Sequence, residues 1–396
     1  MKTILFCWEL GDDYGHIGQA HPIITYLSTH FNVYFAVKDL SKIRDIIWPL
    51  NVHFIQAPIW LKTPQRLPRS ETHAEILFYK GYDKASHLKG LVDGWITLLK
   101  LVSPDLIVFD HAPSALIAAR TWECPSVIIS NPFITPAPGS DIVNICPGLP
   151  FNAHKAEQIN NHVVSTINTV LTSIQSRTIE KLSDIYQVNS TILSSYQEMD
   201  IYKPYRQDVT YTPTLPGIDS FASPQWPPGM SVKAFAYLKH GKEQSQNILN
   251  ALTSIGIKTL CFYSGCKDED THKYKGLPII ISKQPYDITT TTQQADIIIC
   301  HGGKGVVNTA LYYGKPLIIA PTQIEQRHTA QTIEHMGLGI MLDQNTPSID
   351  VENKIIDFFS QVTKHKERCQ IFSETAKQQT PEDSFNMIIS IIKKLI

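Results

Sequence analysis

Short apolar runs alternate with amphipathic stretches of helix length along most of the chain, and this alternation constrains the fold more than any other feature. Each run leads into a polar or glycine-containing turn and then into a stretch with apolar residues at helical spacing. Strands that are apolar throughout and separated by helices are typical of parallel sheets covered on both faces. The sequence therefore predicts an α/β protein with parallel sheets.

The pattern divides into two series, one in each half of the chain. The predicted strands of the first half are Thr3 to Trp8, Val33 to Val37, Leu106 to Phe109 and Ser126 to Ile129, with helices at Pro22 to Thr29, Ala74 to Leu101 and Ala112 to Trp122. Those of the second half are Val232 to Leu238, Thr259 to Tyr263, Pro278 to Ile281, Asp296 to Cys300 and Pro316 to Ala320, with helices at Glu243 to Ile255 and Val306 to Tyr313. Two Rossmann-like domains fit this pattern better than one.

A proline-rich segment separates the two series. Residues 212–230, TPTLPGIDSFASPQWPPGM, resist both helix and sheet, so we predict a stiff linker there. The predicted domains are then residues 1–211 and 231–375. Residues 376–396 are assigned to a closing helix, whose start is predicted at Thr380-Pro381-Glu382-Asp383. Its apolar stripe either packs back across the domains or makes a peripheral contact with a membrane.

Composition excludes several classes of partner. Lys+Arg 35 against Asp+Glu 36 gives a net charge of -1, so no basic surplus is present to bind nucleic acid. The N-terminal apolar run is too short and too acidic for a signal peptide, and no stretch has the length of a membrane span, so a cytoplasmic protein is expected. The cysteines form no C-x-x-C pair and are predicted to be free, buried thiols.

The segment ADIIICHGGKGVVNTALYYG, residues 295–314, carries the strongest chemical signal. A buried strand runs into a glycine-rich turn and then into a helix. Gly302, Gly303 and Gly305 let the backbone approach a ligand, and the N–H groups at the start of the helix favour an anion. We predict a phosphate site to which His301 adds a hydrogen bond. The alternative is a glycine-rich turn with a purely structural role.

Two polar residues follow the next predicted strand. Glu325 and Gln326 lie beyond its carboxyl end, which is where open parallel sheets bind ligands. A carboxylate beside an amide suits the hydroxyl groups of a sugar. The alternative interpretation is a solvated loop.

The segment HGGKGVVNTALYYGKPLIIAPTQIEQRHTA resembles the donor-binding signature of the UDP-glycosyltransferase-like proteins of glycosyltransferase family 1. Gly15-His16 resembles the family's N-terminal Gly-His turn, and PDLIVFDHAPSALIAARTWECPSVII resembles its Asp-bearing strand and following helix. The resemblance covers nearly all of the chain. It implies the GT-B fold, in which two Rossmann-like domains face each other across a cleft, and a nucleotide-sugar donor.

The family pattern implies a donor site in the second domain. The diphosphate would be held by one side chain and a row of amides, those of His301, Gly302, Gly303, Gly305 and Val306, and the sugar would be bound by Glu325 and Gln326. Two positions depart from the pattern. Thr309 stands where a ribose-binding Glu is common, and Lys283 stands near the usual base-stacking aromatic residue. Pro285-Tyr286 follows closely enough to supply a stacking face, and the choice between UDP and dTDP stays open.

Attack by an acceptor hydroxyl requires a base. His16 lies in the first strand-to-helix turn, and Asp110 ends a strand at the same predicted sheet edge, where an ionised Asp would orient the ring and stabilise its protonated form. The family uses such a pair, so the resemblance implies His16 as base and Asp110 as its partner. Without it, a turn histidine and a helix N-cap are the simpler interpretations. His21 and His111 are nearby alternative bases.

The string Asp268-Glu269-Asp270 has the D-x-D form that binds a divalent metal in the other major glycosyltransferase fold. It lies in the charged turn CKDEDTHKYKG, and we interpret it as solvated. Because a helix dipole and His301 can neutralise a leaving diphosphate, neither a metal nor a cofactor is expected.

The expected function is an inverting, hexosyltransferase-type transfer of a sugar from a UDP- or dTDP-sugar to a small acceptor. An epimerase or hydrolase of the same fold and a pseudoenzyme that only binds nucleotide sugars are the alternatives. The GT-B fold that the resemblance implies builds the acceptor pocket from loops of the first domain, which here are residues 61–71 and 131–151. Since the second of these loops is rich in Pro and apolar residues, an apolar, aromatic or lipid-like small molecule is the expected acceptor.

Overall fold

The structure, a computed structural model, describes residues 1–11, 14–62, 68–216, 223–228 and 232–396. The chain forms two compact units. The first comprises Met1–Leu215 together with Pro381–Ile396, and the second comprises Pro216–Thr380. The predicted linker lies partly outside the described residues, as does part of the predicted acceptor loop 61–71.

The strands and helices of the described residues are as follows. The strands are β1 (Thr3–Trp8), β2 (Asn32–Val37), β3 (Val52–Gln56), β4 (Leu106–Asp110), β5 (Ser126–Ser130), β6 (Ser190–Leu193), β7 (Val209–Tyr211), β8 (Lys233–Lys239), β9 (Lys258–Ser264), β10 (Ile279–Ser282), β11 (Ile297–Cys300), β12 (Leu317–Ile319) and β13 (Gly339–Met341). The helices are α1 (Gly15–Leu27), α2 (His73–Leu77), α3 (Ala85–Val102), α4 (Pro113–Ala119), α5 (Ala153–Ser173), α6 (Glu243–Ser254), α7 (Asp268–Lys273), α8 (Ile288–Gln294), α9 (Lys304–Tyr312), α10 (Ile324–His335), α11 (Ser348–Ser360), α12 (Val362–Ala376) and α13 (Pro381–Leu395).

Each unit is built on one wholly parallel sheet. The first sheet has the order β3-β2-β1-β4-β5-β6-β7, and the second has the order β10-β9-β8-β11-β12-β13. The predicted α/β class with parallel sheets is confirmed. In each sheet the chain order reverses once, between β1 and β4 in the first and between β8 and β11 in the second. A crevice that suits a ligand forms at the carboxyl ends of the strands at such a reversal.

Helix α1 begins earlier than predicted. The sequence places its start at Pro22, because proline is common in a first turn, whereas the helix begins at Gly15 and Pro22 lies inside it. Proline removes one hydrogen bond there. The helix continues because Ile17, Ile23 and Ile24 are buried against the sheet. This correction places His16 in the first turn of α1 rather than in a loop.

The single helix predicted from Ala74 to Leu101 is also wrong, because the structure breaks it between α2 and α3. The break falls at Phe78–Tyr82, where Gly81 has a φ of 94°. A side chain at Gly81 would approach the Trp60 ring to 3.0 Å. Glycine accepts this backbone conformation at little cost, so the chain turns here and α2 can pack against α5.

The C-terminal helix, α13, belongs to the first unit. It begins at Pro381, at the predicted helix start, whereas Ala376, the first residue assigned to this segment, still belongs to α12. Its Ile388, Ile389 and Ile392 are buried, and Phe385 packs edge-on against Tyr26 of α1 at 5.6 Å. The apolar stripe that suggested a membrane contact is therefore largely covered by the protein. No helix among the described residues combines the length and the apolar character needed to cross a membrane.

A buried ion pair fixes the loop that follows β5. The Arg206 guanidinium donates to the Asp200 carboxylate at 2.7 Å and to the carbonyl of Pro132 at 3.1 Å. The Arg206 and Asp200 side chains are 6% and 0% exposed. The Tyr211 hydroxyl donates to the same carboxylate at 2.9 Å. The pair thus holds the loop next to the end of β5.

Replacing Asp200 by Ala would leave the Arg206 guanidinium buried without its carboxylate. Since breaking a buried pair costs about 3–5 kcal/mol, Asp200→Ala should lower the free energy of unfolding by that amount in urea denaturation. Asp93→Ala is the control because it removes an exposed pair with Lys89, which is worth less than about 1 kcal/mol. Equal losses in the two variants would contradict the assignment.

Candidate active site

His16 and Asp110 meet at the chain-order reversal of the first sheet. The Nδ1 atom of His16 lies 2.7 Å from the Oδ2 atom of Asp110. Both side chains are partly accessible, at 12% and 13% exposure. Asp110 ends β4 and pairs in register with Trp8, the last residue of β1. The structure therefore brings together the two residues predicted as base and partner.

A third residue completes this arrangement and was not predicted from the sequence. The Ser130 hydroxyl donates to the Oδ1 atom of Asp110 at 2.7 Å. Ser130 is buried and ends β5. Both oxygens of the carboxylate are thus hydrogen-bonded, which fixes the plane of the carboxylate. The sequence could have indicated Ser130 only through its position at the end of β5, the strand that follows the Asp110-bearing strand.

The ring of His16 is held by its surroundings. Trp8 stacks on it at 5.2 Å and His111 at 6.1 Å between ring centroids. Gly11 has a φ of 91°, and a side chain there would come within 2.3 Å of the His16 Nε2 atom. A glycine is therefore required at position 11, both for its positive φ and for the space that the His16 ring occupies. The sequence alone did not indicate this requirement. Asp12 and Asp13, within the predicted Gly-His turn, lie outside the described residues.

The buried carboxyl group of Glu9 ties the end of β1 to the first turn of α4, which follows Asp110 in the chain. Both oxygens of Glu9 accept hydrogen bonds from Ser114, one from its N–H at 3.0 Å and one from its hydroxyl at 2.7 Å. Burial raises the pKa of Glu9 to about 7, and the hydrogen bonds from Ser114 oppose this shift. The N–H of Leu10 donates to the carbonyl of His111 at 3.0 Å. The end of β1 is thereby tied to the turn between β4 and α4.

The two alternative bases lie in different settings. The Nε2 atom of His21 is 2.9 Å from the carbonyl oxygen of Ile47, and its ring packs edge-on against Trp48. His111 has a φ of 48°, and burial lowers its pKa well below the usual value. Among the described residues, neither ring is hydrogen-bonded to a carboxylate, in contrast to the ring of His16.

In the second unit, His301 joins three strands. Its Nδ1 atom lies 2.7 Å from the carbonyl of Ala320, and its Nε2 atom accepts from the N–H of Lys239 at 2.8 Å. The ring is therefore a neutral tautomer with both nitrogens engaged by backbone. These two bonds fix the turn that precedes α9. The hydrogen bond from His301 to a phosphate stays a prediction.

The glycine turn presents backbone to an open space. Gly302 has a φ of 93° and packs against Gln326, whose carbonyl oxygen would lie 3.0 Å from an added Cβ. Gly303 and Gly305 have no atom within 4 Å of such a Cβ. The first bond of α9 runs from Val307 N–H to the carbonyl of Gly303. The preceding N–H groups, including those of Gly305 and Val306, are left by helix geometry to a cap or a ligand.

The predicted sugar-binding residues open α10. Gln326 is largely buried, and its Oε1 atom accepts from the N–H and the hydroxyl of Thr322 at 2.8 and 2.9 Å. Gln326 thus has a structural role at the start of this helix. Glu325 precedes it and is half-buried. The two lie beside the glycine turn, because Gly302 touches Gln326.

The two residues considered for ribose and base have defined partners. The Thr309 hydroxyl donates to the carbonyl of Gly305 at 2.8 Å, so its proton is used within α9. Pro285 and Tyr286 lie between β10 and α8, half-buried, with the Tyr286 ring edge-on to Phe235 at 6.3 Å.

Both aspartates of the D-x-D string have side-chain partners. Asp268 pairs with Lys283 at 2.6 Å, and Asp270 pairs with His240 at 3.2 Å. Asp270 also accepts the N–H of Lys267 at the start of α7. These carboxylates serve the local turn. Among the residues that the structure describes, no group of three or more His, Cys, Asp or Glu is placed to hold a metal ion.

Most of the second unit matches a known domain family. Residues 257–383 match the model of the glycosyltransferase family 28 C-terminal domain. NDP-glycosyltransferase YjiC of Bacillus subtilis (strain 168) is 33% identical over 57 residues, a match that spans 14% of this chain and 14% of that protein. The domain model is that of family 28, and the resemblance to family 1 stays a prediction.

Solved structures match along the whole chain. The calicheamicin glycosyltransferase CalG4 has a TM-score of 0.71 at 14% identity, covering 100% of this chain and 99% of its own. The glycosyltransferase VinC in complex with dTDP has a TM-score of 0.69 at 12% identity, with 99% and 98% covered. SsfS6 of Streptomyces sp. SF2575, complexed with thymidine diphosphate, has a TM-score of 0.63 at 15% identity, with 98% and 100% covered. Identities this low establish the fold alone, and that fold is GT-B.

Proposed function

We propose that this protein is an inverting glycosyltransferase that moves a sugar from a nucleoside diphosphate sugar to a hydroxyl of a small, apolar acceptor. The observation that carries the proposal is the His16, Asp110 and Ser130 arrangement at the chain-order reversal of the first sheet. An epimerase or hydrolase would need several carboxylates around the sugar, and a binding protein would need no oriented base. The GT-B fold and the match to a glycosyltransferase domain support the same class.

The acceptor half of the reaction is assigned to the first unit. His16 Nδ1–H donates to Asp110, so Nε2 is the nitrogen that takes the proton from the acceptor hydroxyl. The acceptor oxygen forms a bond to the anomeric carbon from one face as the bond to the diphosphate oxygen breaks on the other. The resulting imidazolium is stabilised by the Asp110 carboxylate beside it.

The donor half is assigned to the second unit. The amides of the first turn of α9 bind the diphosphate and stabilise the negative charge that it gains on leaving. His301 positions this turn through its two backbone hydrogen bonds. Glu325 binds hydroxyls of the sugar, and Tyr286 offers its ring to the base. UDP- and dTDP-sugars are the donor classes, and VinC and SsfS6 were solved with dTDP and thymidine diphosphate.

The first test concerns the base. Removing the proton acceptor or its orienting partner should slow the chemical step, so His16→Ala and Asp110→Asn should each lower turnover by about 10²–10⁴-fold while dTDP affinity stays unchanged. The double variant should be little slower than His16→Ala, because the two residues act as a unit. His21→Ala is the control and should keep turnover within about twofold. Wild-type turnover in His16→Ala would remove His16 from the mechanism.

The second test concerns the glycine turn. Gly305→Ala adds a methyl group where the protein has open space but where a bound phosphate approaches the backbone. Affinity for UDP and dTDP, measured by calorimetry, should fall about tenfold. Gly90→Ala is the matched control, since Gly90 also lies in a helix with open space around its Cα. Both variants should keep or raise thermal stability, because alanine favours helix. Unchanged nucleotide affinity in Gly305→Ala would place the phosphates elsewhere.

The third test separates sugar from nucleotide. If Glu325 binds sugar hydroxyls, Glu325→Ala should weaken the intact UDP- or dTDP-sugar by about tenfold, the scale of a hydrogen bond to a charged group. Binding of free UDP and dTDP should not change. Equal losses for nucleotide and nucleotide sugar would move Glu325 out of the sugar subsite.

A further inference from the structure

Two imidazole nitrogens in the first unit are buried without a hydrogen-bond partner among the described residues. They are the Nδ1 atom of His73 and the Nε2 atom of His111. An imidazole nitrogen either donates or accepts, and leaving one unpaired in the interior is unfavourable because its bond to water is lost without replacement. Two such atoms in one region point to a polar group that the folded chain itself does not supply.

One of these two histidines, His111, lies beside His16. The rings of His111 and His16 are 6.1 Å apart, centre to centre, and nearly parallel at 29°. Burial is the main cause of the low pKa of His111, and repulsion between its protonated form and those of His16 and His73 adds to it. The unpaired nitrogen of His111 therefore belongs to a ring beside the one that would meet the acceptor, and His73 lies within electrostatic range of it.

The segment that carries His73 is tied to one of the loops predicted to bind the acceptor. The carbonyl of Glu71 accepts the N–H of Ile145 at 2.9 Å, and the carbonyl of Ser70 accepts the Cys146 thiol at 3.2 Å. Both partners belong to the loop 131–151, which also buries Phe133 and other apolar side chains. His73 thus starts α2 directly beside an apolar loop.

Electrostatics limits what this pair can bind. Burial lowers the pKa of His73 to about 3 and that of His111 well below its usual value, so both rings are neutral at physiological pH. A buried carboxylate or ammonium would find no compensating charge on these rings. A neutral hydroxyl or carbonyl oxygen, in contrast, can satisfy one nitrogen or both.

We propose that His73 and His111 bind a second neutral oxygen of the acceptor, a phenol, alcohol or ketone, while the reacting hydroxyl of the same molecule faces His16. The inference rests on the proposed function and names the substrate class of its acceptor half, an apolar molecule with at least two oxygen functions. His73 and His111 are then specificity-determining residues.

The test compares two planar probes, 2,7-dihydroxynaphthalene and 2-naphthol, which differ by one hydroxyl. Affinities are measured by calorimetry with dTDP present, and transfer to each probe is measured separately with UDP- and dTDP-glucose. The wild-type protein should bind the diol about tenfold more tightly than 2-naphthol, as one buried hydrogen bond provides. His73→Phe and His111→Asn should each reduce this preference to about twofold or less without changing affinity for 2-naphthol. Asn is chosen because it tolerates the positive φ at position 111.

A matched control isolates the unpaired nitrogen. His73 Nε2 is 2.6 Å from the Tyr186 hydroxyl, so Tyr186→Phe removes the other partner of the ring and leaves Nδ1 in place. This variant should keep the preference for the diol. Three outcomes would mean that the nitrogens meet only a structural water. They are no preference for the diol in the wild type, equal losses of affinity for both probes in the histidine variants, and loss of the preference in Tyr186→Phe. Preference for the diol without transfer would overturn the proposed function alone, and transfer without preference would overturn this inference alone.

Discussion

The parallel pairing of β1 with β4 is the constraint on which the candidate catalytic arrangement depends. It aligns Trp8 with Asp110, so that the turns following both strands begin side by side. His16 reaches Asp110 from the first of these turns, and Ser130 reaches it from β5, the next strand in the sheet. A slip of one residue in β4 would point the Asp110 side chain to the opposite face of the sheet. Glu9 and Leu10 reinforce the register by hydrogen bonds to the turn after β4.

The second unit has the same reversal of chain order, but there the histidine side chain holds the backbone and the backbone amides face the open space. Its histidine also follows a strand at the chain-order reversal, but both ring nitrogens bind backbone, one from the end of β8 and one from the residue after β12. The side chain therefore holds the turn in place, and the groups that face the open space are amides. Because amides neither gain nor lose protons near pH 7, an anion site built from them works over a wide pH range. In the first unit, by contrast, a proton transfer is the proposed step, and a titratable ring is accessible.

The sequence predicted the parts of the molecule that follow from periodicity. Apolar runs located the central strands of both sheets to within one or two residues, because a strand buried on both faces is apolar throughout. The short strands β6, β7 and β13 lacked that length, and β3 has polar residues between its apolar ones, so these four strands were not predicted. The helix from Ala153 to Ser173 was also not predicted, since only one narrow face of it is apolar. Two helix predictions failed for opposite reasons. Packing kept α1 helical through Pro22, whereas Gly81 broke a pattern that predicted one long helix.

Side-chain roles were less predictable than side-chain positions. The sequence predicted the sheet edges at which His16, Asp110 and the glycine turn lie, since the carboxyl ends of parallel strands share an edge. It did not show that His301 and Gln326 use their polar atoms to build the turns around them. It also gave no reason to single out Gly11, Glu9 or Ser130, because a required glycine and a buried hydrogen bond depend on neighbours that are distant in sequence. On the proposed reaction, Asp110 stabilises the positive charge that His16 acquires and the amides of α9 stabilise the negative charge on the diphosphate. Each unit therefore stabilises the charge that arises in its own half of the reaction.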